Sequence, residues 1–241
     1  MYIKSIWREL AILVVFYIVW YNCFLYFMVP VILPIGVSCM ADVLLAGTYI
    51  NERLLFITPV ILLFNYMVYH RRQGVNWRIR YGSDLGMLYR CLVIAGTGIV
   101  AILFVQIGLL GFWGKIQGKA ICNWSLTTSW FCNHYGGTLY ISWEKAILIL
   151  LALHGIFLLA ISMVEYVWLI KGGTLWGLAL VLYIGGEIEY RFRPIYLLYR
   201  SSGFSINMGS ELSAWVIPIV SMVLILSLIH ISEPTRHSLI S

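Results

Sequence analysis

The sequence predicts an all-α, polytopic membrane helix bundle with about six transmembrane helices, the last of them truncated. Of its 241 residues, 61% are hydrophobic and 11% are charged, whereas a soluble domain carries about 25% charged residues. About 20 apolar residues are enough to cross a bilayer. Three segments of that length lack Lys, Arg, Asp and Glu altogether: residues 11–41, 91–114 and 146–164. Three shorter apolar segments supply the remaining expected spans: residues 54–69, 172–186 and 212 onward.

The first span is expected within residues 11–34. Lys4 and Arg8 precede the apolar run. Pro30 and Pro34 mark its far end or a kink, because proline has no N–H to donate within a helix. The run is too long and too rich in bulky side chains for a secretory signal peptide. We therefore expect it to remain as a membrane helix.

The second span, 54–69, leads into the most basic part of the chain. Four arginines lie there within ten residues: Arg71, Arg72, Arg78 and Arg80. Loops rich in Lys and Arg stay on the cytoplasmic side of a membrane, so we expect a multi-pass protein of the cell membrane with a cytoplasmic N-terminus. The net charge is +6. The basic residues lie between apolar spans, where they contact the head groups of the lipid bilayer. No nucleic-acid partner is expected.

The third span, 91–113, enters the longest polar connection, residues 114–143, which is expected outside the cell. This connection contains Cys122 and Cys132. Two interpretations remain open for them. They form a disulfide if the connection faces an oxidising compartment, or they are two unpaired thiols.

The fourth and fifth spans, 146–170 and 175–186, are separated by only four residues. A turn this short predicts two antiparallel neighbouring helices. A mixed-charge segment, 187–211, precedes the last apolar run. That run covers only residues 212–225, fewer than the about 20 residues that a span needs, so the sixth helix is expected to be truncated.

The last sixteen positions, 226–241, are not expected to be native. The stretch LSLIHISEPTR, residues 226–236, resembles the conceptual translation of a transposon-derived adapter used to prepare sequencing libraries. Segments of this kind are excluded from reasoning about the fold. The sequence therefore predicts one transmembrane domain over residues 1–225 and an adapter-derived tail over residues 226–241.

Little in the sequence indicates catalysis. The patterns H-E-x-x-H, G-x-S-x-G and G-x-x-x-x-G-K-[ST] are absent, so we expect no enzyme activity, no cofactor and no metal site. His154 and Glu165 are ionisable residues within the fourth span, about 16 Å apart along the helix axis, which is too far to share a metal or a proton. We expect His154 to pack against a neighbouring helix and Glu165 to reach water at the membrane interface.

The layout of the spans resembles the permease subunits of ABC-2-type exporters. A short basic start, an Arg-rich connection between spans two and three and a semi-hydrophobic connection between spans five and six are similar to that family. The local resemblance lies in WRIRYGSDLGMLYR, residues 77–90. This stretch looks like the R-[YF]-G-S-R-x-x-W sequence that leads into the third span of small bacterial permeases, with Asp84 and Met87 in place of its basic and aromatic residues.

The resemblance implies partners and a role. A separate ATP-binding-cassette ATPase docks on the connection between spans two and three, and the permease pairs with a second copy of itself or with a sister permease. The chain itself hydrolyses no ATP. The residues implied to couple ATP hydrolysis to export are Arg71, Arg72, Trp77, Arg78, Arg80 and Tyr81. The alternative for the arginines is that they only set the topology.

Two other classes of protein remain open. A membrane sensor or integral-membrane enzyme would bind a ligand on the outer connection, residues 114–143. A paired Cys122 and Cys132 would then support an aromatic platform of Trp124, Trp130 and Tyr135. A membrane accessory protein would have no transport path.

Overall fold

A computed structural model describes residues 7–33, 37–46, 57–72, 84–135 and 137–192 of the chain. All regular elements in these ranges are helical, which confirms the all-α class for the described part. The α-helices are α1 (Trp7–Cys23), α2 (Val29–Ile32), α3 (Met40–Ala46), α4 (Thr58–Arg72), α5 (Asp84–Ile116), α6 (Trp130–Tyr135), α7 (Trp143–Ile170) and α8 (Leu175–Phe192). A π-helical turn, Phe24–Met28, joins α1 to α2.

Three helices of the described part are long and apolar enough to cross a membrane: Trp7–Val31, Gly86–Ile116 and Trp143–Ile170. They correspond to the first, third and fourth expected spans. At 1.5 Å per residue, the 28 residues of α7 extend for about 42 Å, more than the ~30 Å of a hydrocarbon core. Their outward faces are apolar, since Val15, Phe104 and Leu148 are 62%, 72% and 68% exposed. A lipid environment would cover such side chains.

The structure does not show the six membrane spans that the sequence predicts. The second and fifth expected spans are helical, but α4 has 15 residues and the apolar part of α8 is only Leu175–Ile184. The sixth expected span, from residue 212, and the adapter-like tail lie outside the described residues. The structure therefore establishes a helical protein with three candidate membrane spans.

Helices α1, α4, α5 and α7 form the bundle. Helix α5 packs against α1, α4 and α7, and α4 packs against α1 and α7. Helix α8 packs against α7 and α4. Successive helices of the bundle run in opposite directions, so the start of α1 lies beside the end of α4, where Glu9 pairs with Arg71. We name this the Arg71 end. The opposite end, where the connection between α5 and α7 folds over α3, is named the Trp124 end.

The helix is distorted just before Pro30, where the sequence predicts the end of the helix or a kink. Pro30 lacks an N–H, and just before it the N–H of Val29 is bonded to the carbonyl of Phe24, five residues back, which widens the helix into a π turn. The helix ends at Leu33, whose φ of −117° and ψ of 127° are extended. Leu33 precedes Pro34, and a residue before proline is disfavoured in the α conformation.

The short turn between α7 and α8 also follows from local chemistry. Gly172 has a φ of 88°, a left-handed conformation that glycine adopts without a steric penalty. The N–H of Gly173 donates to the carbonyl of Trp168 over 2.9 Å, as in a Schellman termination of a helix. The predicted contact between these two neighbouring helices is confirmed.

Gly98 permits a close approach of α5 to α4 and α1. A Cβ atom at this position would lie 2.6 Å from Cε1 of Phe64 on α4 and 3.2 Å from Cδ2 of Leu13 on α1. Both side chains are buried. Small residues at helix interfaces allow this kind of contact in membranes.

We predict that Gly98→Ala destabilises the protein relative to Gly96→Ala. A Cβ at Gly96 has nothing within 4 Å, so both variants gain the same helix propensity and only the first one overpacks the core. The expected difference is about 1–3 kcal/mol, measured as free energy of unfolding in detergent micelles. Equal stability of the two variants would contradict this packing.

Candidate functional site

Four side chains form a buried polar junction between α4 and α7: Asn65, Ser162, Glu165 and Tyr166. The Nδ2 atom of Asn65 donates to Oγ of Ser162 over 2.9 Å and to Oε2 of Glu165 over 2.8 Å. The hydroxyl of Tyr166 donates to Oδ1 of Asn65 over 3.0 Å. Glu165 is fully buried, as are the other three residues. The amide of Asn65 therefore forms hydrogen bonds with three residues of α7.

The spacing along α7 explains the convergence on Asn65. Residues three and four apart in a helix share one face, so Ser162, Glu165 and Tyr166 all point towards α4. Ser162 also donates to the carbonyl of Leu158 over 2.8 Å. One turn further along α4, the hydroxyl of Tyr69 donates to the carbonyl of Leu169 over 2.9 Å. The two helices are thus held together by hydrogen bonds across two successive turns.

The carboxyl group of Glu165 is the chemically unusual part of the junction. Its Oε1 atom has no hydrogen-bond partner among the described residues, and the described ranges contain no ion pair to it. An isolated charge in a buried site costs many kcal/mol, so a proton or a cation has to neutralise this carboxylate. An ionisable residue inside a membrane span is by default a candidate functional residue.

The expectation that Glu165 reaches interface water is wrong. Its exposure is 0%, because α4 lies directly over it and contributes Asn65. His154 is also buried, with 0% exposure, as expected. Within the described residues no group of three or more His, Cys, Asp or Glu side chains is placed to hold a metal ion.

A second polar contact lies at the Arg71 end. Arg71, the second-to-last residue of α4, forms an ion pair with Glu9 in the first turn of α1. The Glu9 side chain is 8% exposed and that of Arg71 is 54% exposed, so the carboxylate is enclosed while the guanidinium remains partly accessible. Of the other residues implied in coupling, Arg72 ends α4, whereas Trp77, Arg78, Arg80 and Tyr81 lie outside the described residues.

At the Trp124 end, the connection between α5 and α7 forms a cap over α3. We use the name cap for residues 117–142. Asp42 of α3 accepts hydrogen bonds from the N–H of Cys39 over 2.8 Å and from Nε1 of Trp124 over 2.6 Å. Burial raises the pKa of the Asp42 carboxyl, and these two hydrogen bonds oppose that effect. Trp124 stacks on Phe131 with a centroid separation of 4.5 Å.

This arrangement differs from the expected aromatic platform. Trp124 and Trp130 are only 1% and 7% exposed, so their rings pack inside the cap and present little surface to a ligand outside. The side chain of Tyr135 lies outside the described residues. Trp124 and Trp130 therefore do not form the expected ligand surface, and the exposed aromatic side chains among the described residues of this connection are Tyr140 and Trp143.

Cys122 and Cys132 are both free thiols in the structure. The thiol of Cys122 shares a hydrogen bond with that of Cys39. For Cys122 and Cys132, the two interpretations given by the sequence, a disulfide or two unpaired thiols, both remain open.

Several residues of these sites were missed from the sequence. The sequence does offer one indication for Asn65, because it is the only amide side chain in the apolar run 54–69. Glu9 and Asp42 are isolated acids close to an apolar run. Their partners come from distant parts of the chain, and no local pattern names them.

Comparison with known proteins identifies no relative of this chain. The sequence matches no protein-family model, no curated protein and no solved structure. The resemblance to exporter permeases therefore depends on residue pattern and layout alone.

We predict that Asn65 and Glu165 are energetically coupled. Asn65→Ala leaves Glu165 and Tyr166 without their shared partner, and Glu165→Gln changes the same hydrogen bond from the other side. A double-mutant cycle on the free energy of unfolding should give a coupling of about 0.6–1.7 kcal/mol, the range for hydrogen bonds between membrane helices. Asn22→Ala is the control, because the Asn22 amide donates only to the carbonyl of Ile18 within its own helix. Strict additivity of Asn65→Ala and Glu165→Gln would exclude the junction.

Proposed function

We propose that this chain is the membrane-spanning permease subunit of an ABC-type exporter, with ATP hydrolysis on a separate subunit. The observation that carries the proposal is the ion pair between Arg71 and Glu9. It links the end of α4 to the start of α1 at the point where the Arg-rich connection leaves the bundle. A partner that moves this connection would therefore move more than one helix.

The contacts around α4 support such a lever. The connection 73–83 is flanked directly by α4 and α5. Helix α4 is joined to α1 through Arg71 and to α7 through Tyr69 and Asn65. Packed helices move as rigid bodies and shift between discrete arrangements. A push on the connection would be transmitted to the four helices of the bundle.

The electrostatics of the Arg71 end fit an acidic partner. Arg71 is half-exposed while its own partner Glu9 is enclosed, so an acidic surface can approach the guanidinium from outside. Complementary charge of this kind sets docking geometry and association rate. The proposed docking set is Arg71, Arg72, Trp77, Arg78, Arg80 and Tyr81. The proposal places the Arg71 end and the N-terminus in the cytoplasm and the cap outside, in accord with the positive-inside rule.

The export path would form between two copies of the chain, or between this chain and a sister permease. Large apolar side chains lie on the outward face of α1 and of the π-helical turn that follows it, where Val19 and Phe27 are 60% and 72% exposed. These surfaces suit either lipid or a second membrane subunit. The polar junction at Glu165 is buried between α4 and α7.

Two measurements test the proposal: co-purification of an ATPase with the chain, and the amount of export per ATP hydrolysed. The tagged chain, extracted from its own membranes, should retain an ATP-binding-cassette ATPase. Changing Arg78 and Arg80 together to Gln should weaken that association about tenfold, equal to about 1.4 kcal/mol. Arg71→Gln and Glu9→Gln should each leave the ATPase bound but reduce export per ATP hydrolysed, because both break the same link.

Lys171→Gln is the matched control, since Lys171 is an exposed cation at the same end of the bundle. It should behave as the unchanged protein. The proposal is rejected if no such ATPase accompanies the chain. It is also rejected if the Arg78 and Arg80 variant inserts correctly and keeps full coupling.

A further inference from the structure

The cap and α3 are held in register by backbone hydrogen bonds on both sides of two cysteines. Cys39 immediately precedes α3, and Cys122 lies in the early part of the cap. The hydrogen bonds between the two segments include Met40 N–H to the Ala120 carbonyl at 3.0 Å, Ala41 N–H to the Ile121 carbonyl at 2.9 Å, and Asn123 Nδ2 to the Val37 carbonyl at 3.1 Å. This pairing sets Cys39 beside Cys122, and their thiols share a hydrogen bond.

We propose that Cys39 and Cys122 are a redox-active dithiol pair that closes to a disulfide by exchange with a small-molecule or protein disulfide. The bond would tie the cap covalently to the segment before α3. It is a different pairing from the disulfide between Cys122 and Cys132, which the sequence leaves open. The proposal does not depend on the exporter function.

The two thiols are suited to different steps of the exchange. Cys122 is partly exposed, whereas Cys39 has 0% exposure, so an external disulfide can reach only Cys122. The hydrogen bond from Cys39 lowers the pKa of Cys122 to about 7, and a thiolate is the nucleophile in thiol–disulfide exchange. The hydrogen bond to Cys122, together with burial, raises the pKa of Cys39. Cys122 is therefore the attacking sulfur and Cys39 the resolving one.

The chemistry balances with one external disulfide. The Cys122 thiolate attacks one sulfur of the external disulfide, forms a mixed disulfide and releases the other half as a thiolate. Cys39 then gives up its proton and attacks Sγ of Cys122, which displaces the second half. Two protein thiols are oxidised by two electrons, and the external disulfide is reduced to two thiols.

The test uses the purified full-length chain in detergent, fully reduced and then exposed to oxidised glutathione. After an acid quench, free thiols are blocked with N-ethylmaleimide, and peptide mass mapping identifies the linked pair. A peptide joining Cys39 to Cys122 is expected. Its rate of formation should rise with pH and reach half its maximum near pH 7, because the fraction of Cys122 in the thiolate form limits the first step.

Three single variants provide the matched comparison. Cys39→Ser and Cys122→Ser should abolish the disulfide, and Cys132→Ser should form it in undiminished yield. Cys39→Ser should also accumulate the mixed disulfide of glutathione on Cys122, since the resolving thiol is missing. Tryptophan fluorescence of each reduced variant checks that the cap remains folded around Trp124.

Two results would overturn the proposal. One is a peptide that joins Cys122 to Cys132, formed in Cys39→Ser and lost in Cys132→Ser. The other is a folded chain in which all five cysteines still react with maleimide after oxidised glutathione.

Discussion

Hydrocarbon supplies no hydrogen bonds, and the rest of the structure depends on this constraint. Every backbone N–H and carbonyl within a membrane has to find a partner inside the protein, and a helix does this within a single segment. The long apolar helices α1, α5 and α7 satisfy the constraint along their lengths. Some of the polar side chains at depth pair across helices, as Asn65 does with Glu165 and Tyr166.

The two ends of the bundle are stabilised differently. At the Arg71 end, an ion pair and a side-chain hydrogen bond connect α4 to α1 and α7. At the Trp124 end, backbone hydrogen bonds and the buried Asp42–Trp124 contact hold the cap on α3. The first kind of contact breaks when a competing charge arrives, whereas the second involves many bonds at once. The difference between the two ends would suit the proposed function, in which motion is driven from the Arg71 side.

Features that depend on local composition could be predicted from the sequence. The long spans follow from the density of apolar residues, and the distortion of the first helix follows from the missing N–H of Pro30. The contact between α7 and α8 follows from the short connection between them. Features that depend on two distant segments could not. Asn65 and Glu165 are 100 positions apart, and periodicity gives the face of each helix but not the neighbour that it meets. The depth of Glu165 along α7 indicated water within reach, and only the packing of α4 over it reveals that it is enclosed.

The cysteines illustrate the same limit. Cys122 and Cys132 share one polar connection, and closeness in sequence made them the natural pair. Cys39 becomes the neighbour of Cys122 only when the cap folds onto α3. Likewise, Trp124 and Trp130 were expected to form a ligand surface, but an aromatic ring in a polar loop is equally able to build the small core of that loop.

The account depends most directly on α7 crossing the bilayer. Lys145 and Lys171 are exposed residues near its two ends, and the helix between them is about 39 Å long at 1.5 Å per residue. In a cysteine-free background, Lys145→Cys and Lys171→Cys are labelled separately with a membrane-impermeant maleimide on intact cells. The account predicts that one position reacts at once and the other only after permeabilisation. Equal reaction of both positions from the same side of an intact membrane would contradict it.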